Sequence, residues 1–325
     1  MYPRARQKTR HGRYICVGIL SLFFGKIVFM PPGTIIFDDV EEGAKLLAPE
    51  DHFTKLATGF KFVEGPVWMP TDGTGNSRGR LYFSDIPNDA IHTLSAAGDV
   101  QLFRKPSHQT NGNTIDLQGR LVSCEGGARR VTRTEKNGSV TVVADAFQGR
   151  KLNSPNDVVV KSDGAIYFSD PTYGLGGGEK EQAGNYVFRV DPKTSVLTKA
   201  ADGFDQPNGL CFSPDETTLY VADSGKPHHV KAFPVHVDGT LGEGEVFCEI
   251  DKGVPDGMRC DREGRLYSTA GDGVHIFLAT GKRIGKIFIP EVTANCAFGG
   301  ENGKTLFMTA MTSVYAIQLR VAGAK

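Results

Sequence analysis

The chain of 325 residues has no surplus of charge of either sign, with 37 Lys and Arg balancing 37 Asp and Glu. Without a basic field it lacks the electrostatic footprint of a nucleic-acid binder, and it carries no acidic interaction tail. Sulfur-based metal boxes are missing too. Cys16, Cys124, Cys211, Cys248, Cys260 and Cys296 include no CxxC pair, which removes zinc ribbons and thioredoxin-like redox motifs. Cys211 and Cys260 fall in apolar runs, where a reduced thiol acts as a small hydrophobe, so no disulfide framework is expected. There is no GxSxG nucleophile elbow and no phosphate-binding loop of the Walker type. The run Gly174-Leu175-Gly176-Gly177-Gly178 precedes no helical pattern and reads as a loop. From Phe53 onward, sustained 3.6-residue periodicity is absent, which argues against helical and α/β architectures. The single tryptophan, Trp68, reads as a packing residue.

The amino terminus differs from the rest. Arg4, Arg6, Lys8, Arg10 and Arg13 precede an apolar run from Ile15 to Phe24, the pattern of an export signal. Gly25-Lys26 interrupts that run short of the ~20 residues a membrane span needs, and no small-x-small cleavage site follows. Residues 1–40 are therefore read as an export signal or an extension ahead of the true start, and 41–325 as the folded domain. Localisation, cytoplasmic or exported, hangs on that choice.

What is present is a repeat. Glycine, at 40 residues, is abundant and punctuates short runs of Val, Ile, Leu, Phe and Tyr, an all-β pattern. A phrase recurs: Gly79-Arg80-Leu81-Tyr82-Phe83-Ser84-Asp85, Gly119-Arg120-Leu121, Gly164-Ala165-Ile166-Tyr167-Phe168-Ser169-Asp170, Thr218-Leu219-Tyr220-Val221-Ala222-Asp223, Gly264-Arg265-Leu266-Tyr267 and Lys304-Thr305-Leu306-Phe307. The intervals between its aliphatic anchors are 40, 45, 53, 47 and 40 residues. A four-stranded propeller blade occupies about 40–50 residues, so six anchors predict a six-bladed β-propeller. Ser313-Val314-Tyr315-Ala316-Ile317 reads as a further strand of the closing sheet.

About ten residues before each anchor stands an oxygen- or amide-bearing side chain: Asn111, Asn156, Asn208, Asp256 and Asn295. In the first blade Glu64 lies 17 before Leu81, and treating 71–77 as an insertion restores the spacing. Any one of these is an ordinary turn residue. Six at one register predict a ring of side chains facing a shared channel. The ring contains neither Cys nor His, and hard oxygen donors of this kind suit Ca²⁺, Mg²⁺ or Mn²⁺, with Zn²⁺ tolerated.

Several phrases are more specific: Glu64-Gly65-Pro66-Val67-Trp68, Leu152-Asn153-Ser154-Pro155-Asn156-Asp157-Val158, Phe168-Ser169-Asp170-Pro171-Thr172-Tyr173-Gly174, Pro207-Asn208-Gly209 and Pro255-Asp256-Gly257-Met258. With them the chain from about Phe53 to Ile317 resembles the gluconolactonase / senescence marker protein (regucalcin) family, in its bacterial gluconolactonase branch, and more distantly the squid-type diisopropylfluorophosphatase. The resemblance implies a six-bladed propeller with a central metal site. It implies one divalent cation, calcium foremost, held by Glu64, Asn156, Asn208 and Asp256, with Asp256 also the general base. Asn295-Cys296-Ala297-Phe298-Gly299-Gly300 matches the bacterial branch and implies a substrate contact from Asn295. Two departures bear on specificity: Ser154 stands where the animal lactonases have Arg, and Gly126 where bacterial relatives often have His.

The expected function is metal-dependent opening of a sugar lactone to the aldonic acid, with Asn111, Glu125, Asn153, Thr172 and Tyr173 orienting substrate hydroxyls. Two rivals use the same ring: phosphotriester hydrolysis, and a non-catalytic ligand-binding propeller with a structural ion.

Overall fold

A computed structural model of the protein describes residues 34–47, 53–70 and 79–324. The stretch read as signal or extension, up to residue 33, and the insertion read at 71–77 lie outside the described residues. Among the described residues six antiparallel blades follow one another along the chain, with a two-stranded ribbon of Ala146–Phe147 and Arg150–Lys151 between the second and third. Blade 1 runs outward through Val63–Met69, Arg80–Asp85, Ala90–Ser95 and Val100–Arg104. Blade 2 begins at Thr110–Ile115, blade 3 at Val158–Val160, blade 4 at Pro207–Phe212, blade 5 at Met258–Cys260 and blade 6 at Thr293–Gly299. These first strands touch one another in a closed circuit, the last returning to the first, which makes them the innermost strands of a propeller.

The recurring phrase is the second strand of each blade. Its anchors Leu81, Leu121, Ile166, Leu219, Leu266 and Leu306 are all buried, because the next blade covers that face. The cores lie between blades: Val122, Val131 and Leu152 of the second blade and its connection pack against Ile166, Phe168 and Phe188 of the third. Trp68 stacks on Phe307 across blades 1 and 6, ring centres 5.3 Å apart, the packing role its lone occurrence implied.

Closure joins the two ends of the domain. Phe53–Thr58, the first strand after residue 52, forms the outer strand of blade 6 beside Ser313–Gln318, with Phe53 opposite Ile317 and Thr58 opposite Ser313. The last three strands alone would leave an unpaired edge, and the early strand covers it. A further short strand, Ile35–Phe37, lies ahead of the boundary drawn at residue 40. It pairs outside Arg283–Phe288 as the fifth strand of blade 5. Deleting residues through Thr58 is expected to broaden the thermal transition and lower its midpoint, whereas deleting only through residue 33 leaves it in place. Circular dichroism melts of the two truncations check this, and equal midpoints would contradict the closure.

Candidate functional site

The ring begins with the way inner strands are bent. In blades 1, 2 and 4 the pairing between first and second strand slips at the ring residue, between Glu64 and Val67, Thr110 and Asn113, and Pro207 and Leu210. A bulge of this kind re-aims a side chain, here toward the axis. In blades 3 and 5, Asn156 and Asp256 stand two residues before regular pairing starts at Val158 and Met258. Glu64, Asn111, Asn156, Asn208 and Asp256 consequently line one cavity of about 390 Å³.

The acid that ends the recurring phrase holds these bends. Asp85 accepts from the backbone N–H groups of Lys61 and Phe62 at 3.2 Å, Asp170 from that of Asn153 at 2.8 Å, and Asp223 from those of Asp205 and Gln206 at 2.9 and 2.8 Å. In these three blades the pinned N–H lies two or three residues before the ring side chain. A charge-assisted bond to a buried acid fixes the loop from which that side chain projects.

The sixth expected ring position is corrected. The Gly112 N–H donates to the Asn156 carbonyl at 2.7 Å, and the Gly257 N–H donates to the Ala294 carbonyl at 2.8 Å. Ala294 therefore occupies in blade 6 the place that Asn156 occupies in blade 3, and Asn295 lies one residue deeper, level with Asp157. A slip in pairing between Thr293 and Asn295 makes the residue count to Leu306 misleading by one. Asn295 is buried below the cavity, where its Nδ2 donates to Glu64 Oε2 at 3.0 Å and to Asp157 Oδ2 at 3.4 Å.

That deeper layer explains four glycines. Gly65, Gly112, Gly209 and Gly257 follow ring residues in blades 1, 2, 4 and 5, and a Cβ on any of them would collide with the neighbouring blade. On Gly112 it would lie 2.5 Å from Asp157 Oδ1, and on Gly257 it would overlap the Asn295 carboxamide. Two polar side chains, Asp157 and Asn295, thus fill the axis that the glycines vacate. Arg259 approaches the same point, its Nη1 3.9 Å from Asp157 Oδ2.

Three carboxylates face one guanidinium here, and the surroundings disfavour their charge. Burial pushes Glu64 up to about 7, with the Asp157 charge adding to it, while the Gly65 N–H and the Asn295 amide oppose the shift. Burial raises Asp157, against the pull of Arg259. Asp256 is raised well above the carboxylate range by burial and then by Glu64 and Asp157, with the Asn208 amide opposing. Oxygens are also left over: Asn111 Oδ1, Asn208 Oδ1 and Asp256 Oδ1 are buried without a hydrogen-bond partner. A surplus of negative charge with orphaned oxygens at its rim is a donor set that fits a hard cation. Among the described residues, no group of three or more His, Cys, Asp and Glu side chains is arranged to hold an ion, and the set at the cavity is two carboxylates with two carboxamides.

Of the groups expected to orient substrate, Asn111 and Tyr173 line the cavity and three others do not. Glu125 holds the blade 2 place of Asp85 and Asp170. It is buried against Arg130 at 2.7 Å, Arg104 at 3.1 Å and Thr132 at 2.9 Å. Asn153 is wholly buried, its Nδ2 donating to the carbonyls of Asp170 and Gly184, both at 3.1 Å. Thr172 exchanges hydrogen bonds with Gln206, whose Nε2 donates to Thr172 Oγ1 at 3.0 Å. Ser154 does line the cavity, yet its hydroxyl donates to the Pro171 carbonyl at 2.8 Å and accepts from the Gly174 N–H at 2.9 Å.

Two residues of the site escaped sequence reading. Asp157 stands beside Asn156 within a motif phrase that assigns it no role, and Arg259 stands just past the last such phrase. A charge on the inner strand of a closed propeller, where water cannot solvate it, was the available signal.

Asp170 yields a pH test. Burial pushes it from 3.8 up to about 7, and its Oδ1 has no partner. A folded state that holds this proton more tightly than the unfolded chain is favoured at low pH and loses that contribution as pH rises from about 4 to about 7. Asp170→Asn keeps the acceptor for Asn153 and removes the titration. Its stability relative to wild type is expected to rise across that window in urea unfolding, and a pH-independent difference would refute the assignment.

Residues 62–312 match the family model described as "SMP-30/Gluconolactonase/LRE-like region". The gluconolactonase of Zymomonas mobilis is 32% identical over 297 residues, spanning 82% of this chain and 81% of the relative. The solved structure of XC5397 from Xanthomonas campestris, described as a gluconolactonase, superposes with a TM-score of 0.80 at 33% identity, covering 89% of this chain and 99% of that one. A calcium-binding regucalcin from Agrobacterium tumefaciens shares the fold, with a TM-score of 0.68 at 22% identity over 83% of this chain and 94% of that one. With a propeller, an axial ring of carboxylates and carboxamides, and these likenesses over most of its length, the chain belongs to the SMP-30/gluconolactonase/LRE-like family.

Proposed function

We propose that the protein is a metal-dependent lactonase that opens a sugar lactone to its aldonic acid. The observation that carries this is the convergence of Glu64, Asn156, Asn208 and Asp256 on one cavity with Asn208 Oδ1 and Asp256 Oδ1 unpartnered. The relatives named gluconolactonase support the substrate class. These four residues would hold one divalent cation, calcium being the best match to all-oxygen donors, with Mg²⁺, Mn²⁺ and Zn²⁺ as rivals. When bound, such an ion polarises the lactone carbonyl and stabilises the negative charge that develops on its oxygen.

The chain's own groups supply the rest. Asp256, a carboxylate on the cavity wall, is placed to take a proton from the attacking water. The water oxygen bonds to the carbonyl carbon, the ring C–O bond breaks, and the released alkoxide takes the proton that Asp256 removed from the water, which gives the hydroxy acid and restores the carboxylate. Asn111, whose Oδ1 is also free, stands beside the ring to accept from a substrate hydroxyl. Asn295 holds Glu64 from below and keeps its carboxylate aimed at the cavity.

Glu64→Gln and Asp256→Asn are each expected to lower kcat/KM for glucono-δ-lactone by 100-fold or more, on the order of a general-base or Lewis-acid loss, with unchanged circular dichroism. Retained turnover in either sinks the reading. Removal of the ion separates catalysis from architecture. A chelator is expected to abolish a pH-indicator signal that added Ca²⁺, Mg²⁺, Mn²⁺ or Zn²⁺ restores, while Tm falls only modestly. Loss of folding on chelation would instead identify a structural ion.

A further inference from the structure

In blades 1, 3 and 4 the acid that ends the second strand holds the loop ahead of the ring residue. Blades 5 and 6 have Ala270 and Ala310 in that place, whose side chains cannot accept a loop N–H. There the acid stands on the loop itself. In blade 6 it is Glu291, three residues before Ala294, and it reaches back to the turn after the second strand. Its Oε2 accepts from the Thr312 N–H at 2.9 Å. Its Oε1 accepts from the Tyr315 hydroxyl at 2.5 Å and from Lys55 of the outermost strand at 3.2 Å.

In blade 5 the acid is Asp251, five residues before Asp256. Its two oxygens accept from Arg283 Nη1 at 2.6 Å and from Lys286 Nζ at 2.8 Å, both on the fourth strand. Burial works against a charge on Asp251, yet the hydrogen bonds from Lys286 and Arg283 hold its carboxyl below the usual range. An isolated exposed ion pair contributes little. These two cations are themselves tied. Lys286 also donates at 3.2 Å to Asp272, whose other oxygen lies 2.7 Å from Nε2 of the wholly buried His275. Arg283 also donates at 2.7 Å to Asp38, the residue after the added strand Ile35–Phe37. Beyond Asp251 the loop runs against the turn after the second strand. The Gly271 N–H donates to the Lys252 carbonyl at 2.9 Å, and a Cβ on Gly253 would lie 2.6 Å from the Gly271 nitrogen. Val254 and Asp256 then face the cavity.

We infer that Asp251 is a positioning residue for the site: held by Arg283 and Lys286, it fixes the loop 250–255 and so places Val254 and Asp256 at the cavity. The consequence for turnover rests on the lactonase reading, and the fixing of the loop does not. A reacting group misplaced by about 1 Å can cost on the order of 100-fold in rate. The test compares Asp251→Ala with the pair Arg283→Met and Lys286→Met, which leaves the acid in place but unheld. The control is Lys199→Ala, which removes a comparably exposed ion pair with Asp202 from the outer strand of blade 3.

Hydrogen exchange of the full chain, read by mass spectrometry, is expected to quicken at least about tenfold in peptides spanning 250–258, with the inner strands of blades 1 to 3 unchanged. For glucono-δ-lactone, kcat is expected to fall at least about tenfold while KM moves by less than about threefold. Both effects are expected in Asp251→Ala and in the double variant, and neither in Lys199→Ala. Wild-type exchange across 250–258 in Asp251→Ala overturns the inference. Faster exchange with wild-type kcat overturns it too, because the acid would then serve the fold alone. A wild type that opens no lactone under any of the four cations removes the lactonase reading. Exchange then decides alone: faster in Asp251→Ala, the loop is held as inferred; unchanged, it is not.

Discussion

Six strands can converge on one axis only if little stands where they meet. In this protein the constraint is met by Gly65, Gly112, Gly209 and Gly257, whose missing Cβ atoms let neighbouring inner strands touch, and by backbone bonds from Gly112 to Asn156 and from Gly257 to Ala294. Asp157 fills the space at Gly112 and Asn295 that at Gly257, while Gly65 and Gly209 meet the backbones of Asn111 and Asp256. Everything chemical above them follows from that floor. Asn295 bonds Glu64, Asp157 answers Arg259, and the ring of five side chains stands one residue higher, open to the cavity. Replace a glycine and the floor rises into the ring.

The same floor sets the electrostatics. Glu64, Asp157 and Asp256 lie close together and away from water: the Asp157 charge strengthens Glu64's hold on a proton, and Glu64 and Asp157 strengthen that of Asp256. Arg259 balances part of that charge from below. The remainder faces the cavity beside unpartnered carboxamide oxygens, which is the ground on which a cation is proposed there. Around it, the acids that end the second strands serve architecture. Asp85, Asp170 and Asp223 bind loop N–H groups and Glu125 binds arginines, so the acid that ends the second strand of blades 1 to 4 serves the architecture, and in blades 5 and 6 Ala270 and Ala310 stand in its place.

Much was legible before any coordinates. Blade number followed from the spacing of Leu81, Leu121, Ile166, Leu219, Leu266 and Leu306, because each blade repeats one packing problem and solves it with one aliphatic residue on its second strand. The five cavity-lining ring residues followed from counting back to the bend before each inner strand. Counting failed at Asn295, where a one-residue slip in pairing exchanges the channel wall for the channel floor. Side-chain commitments were illegible for a related reason. Asn153, Glu125 and Thr172 stand near the mouth in sequence, yet their partners Gly184, Arg104, Arg130 and Gln206 are 20 to 34 residues away or on another strand.

The amino-acid sequence by itself determined the all-β class, the six-fold repeat and the oxygen-only character of the ring, because these are local and periodic properties of residue type. Only the tertiary structure decided how the circle closes. Phe53–Thr58 and Ser313–Gln318 lie at opposite ends of the domain and share no local signal, and their pairing exists only because five other blades bring them together. It also decided which polar atoms are free. Asn111, Asn208 and Asp256 keep an oxygen without a partner at the cavity while the Ser154 hydroxyl does not, a distinction set by which carbonyls and N–H groups the fold brings within 3.5 Å.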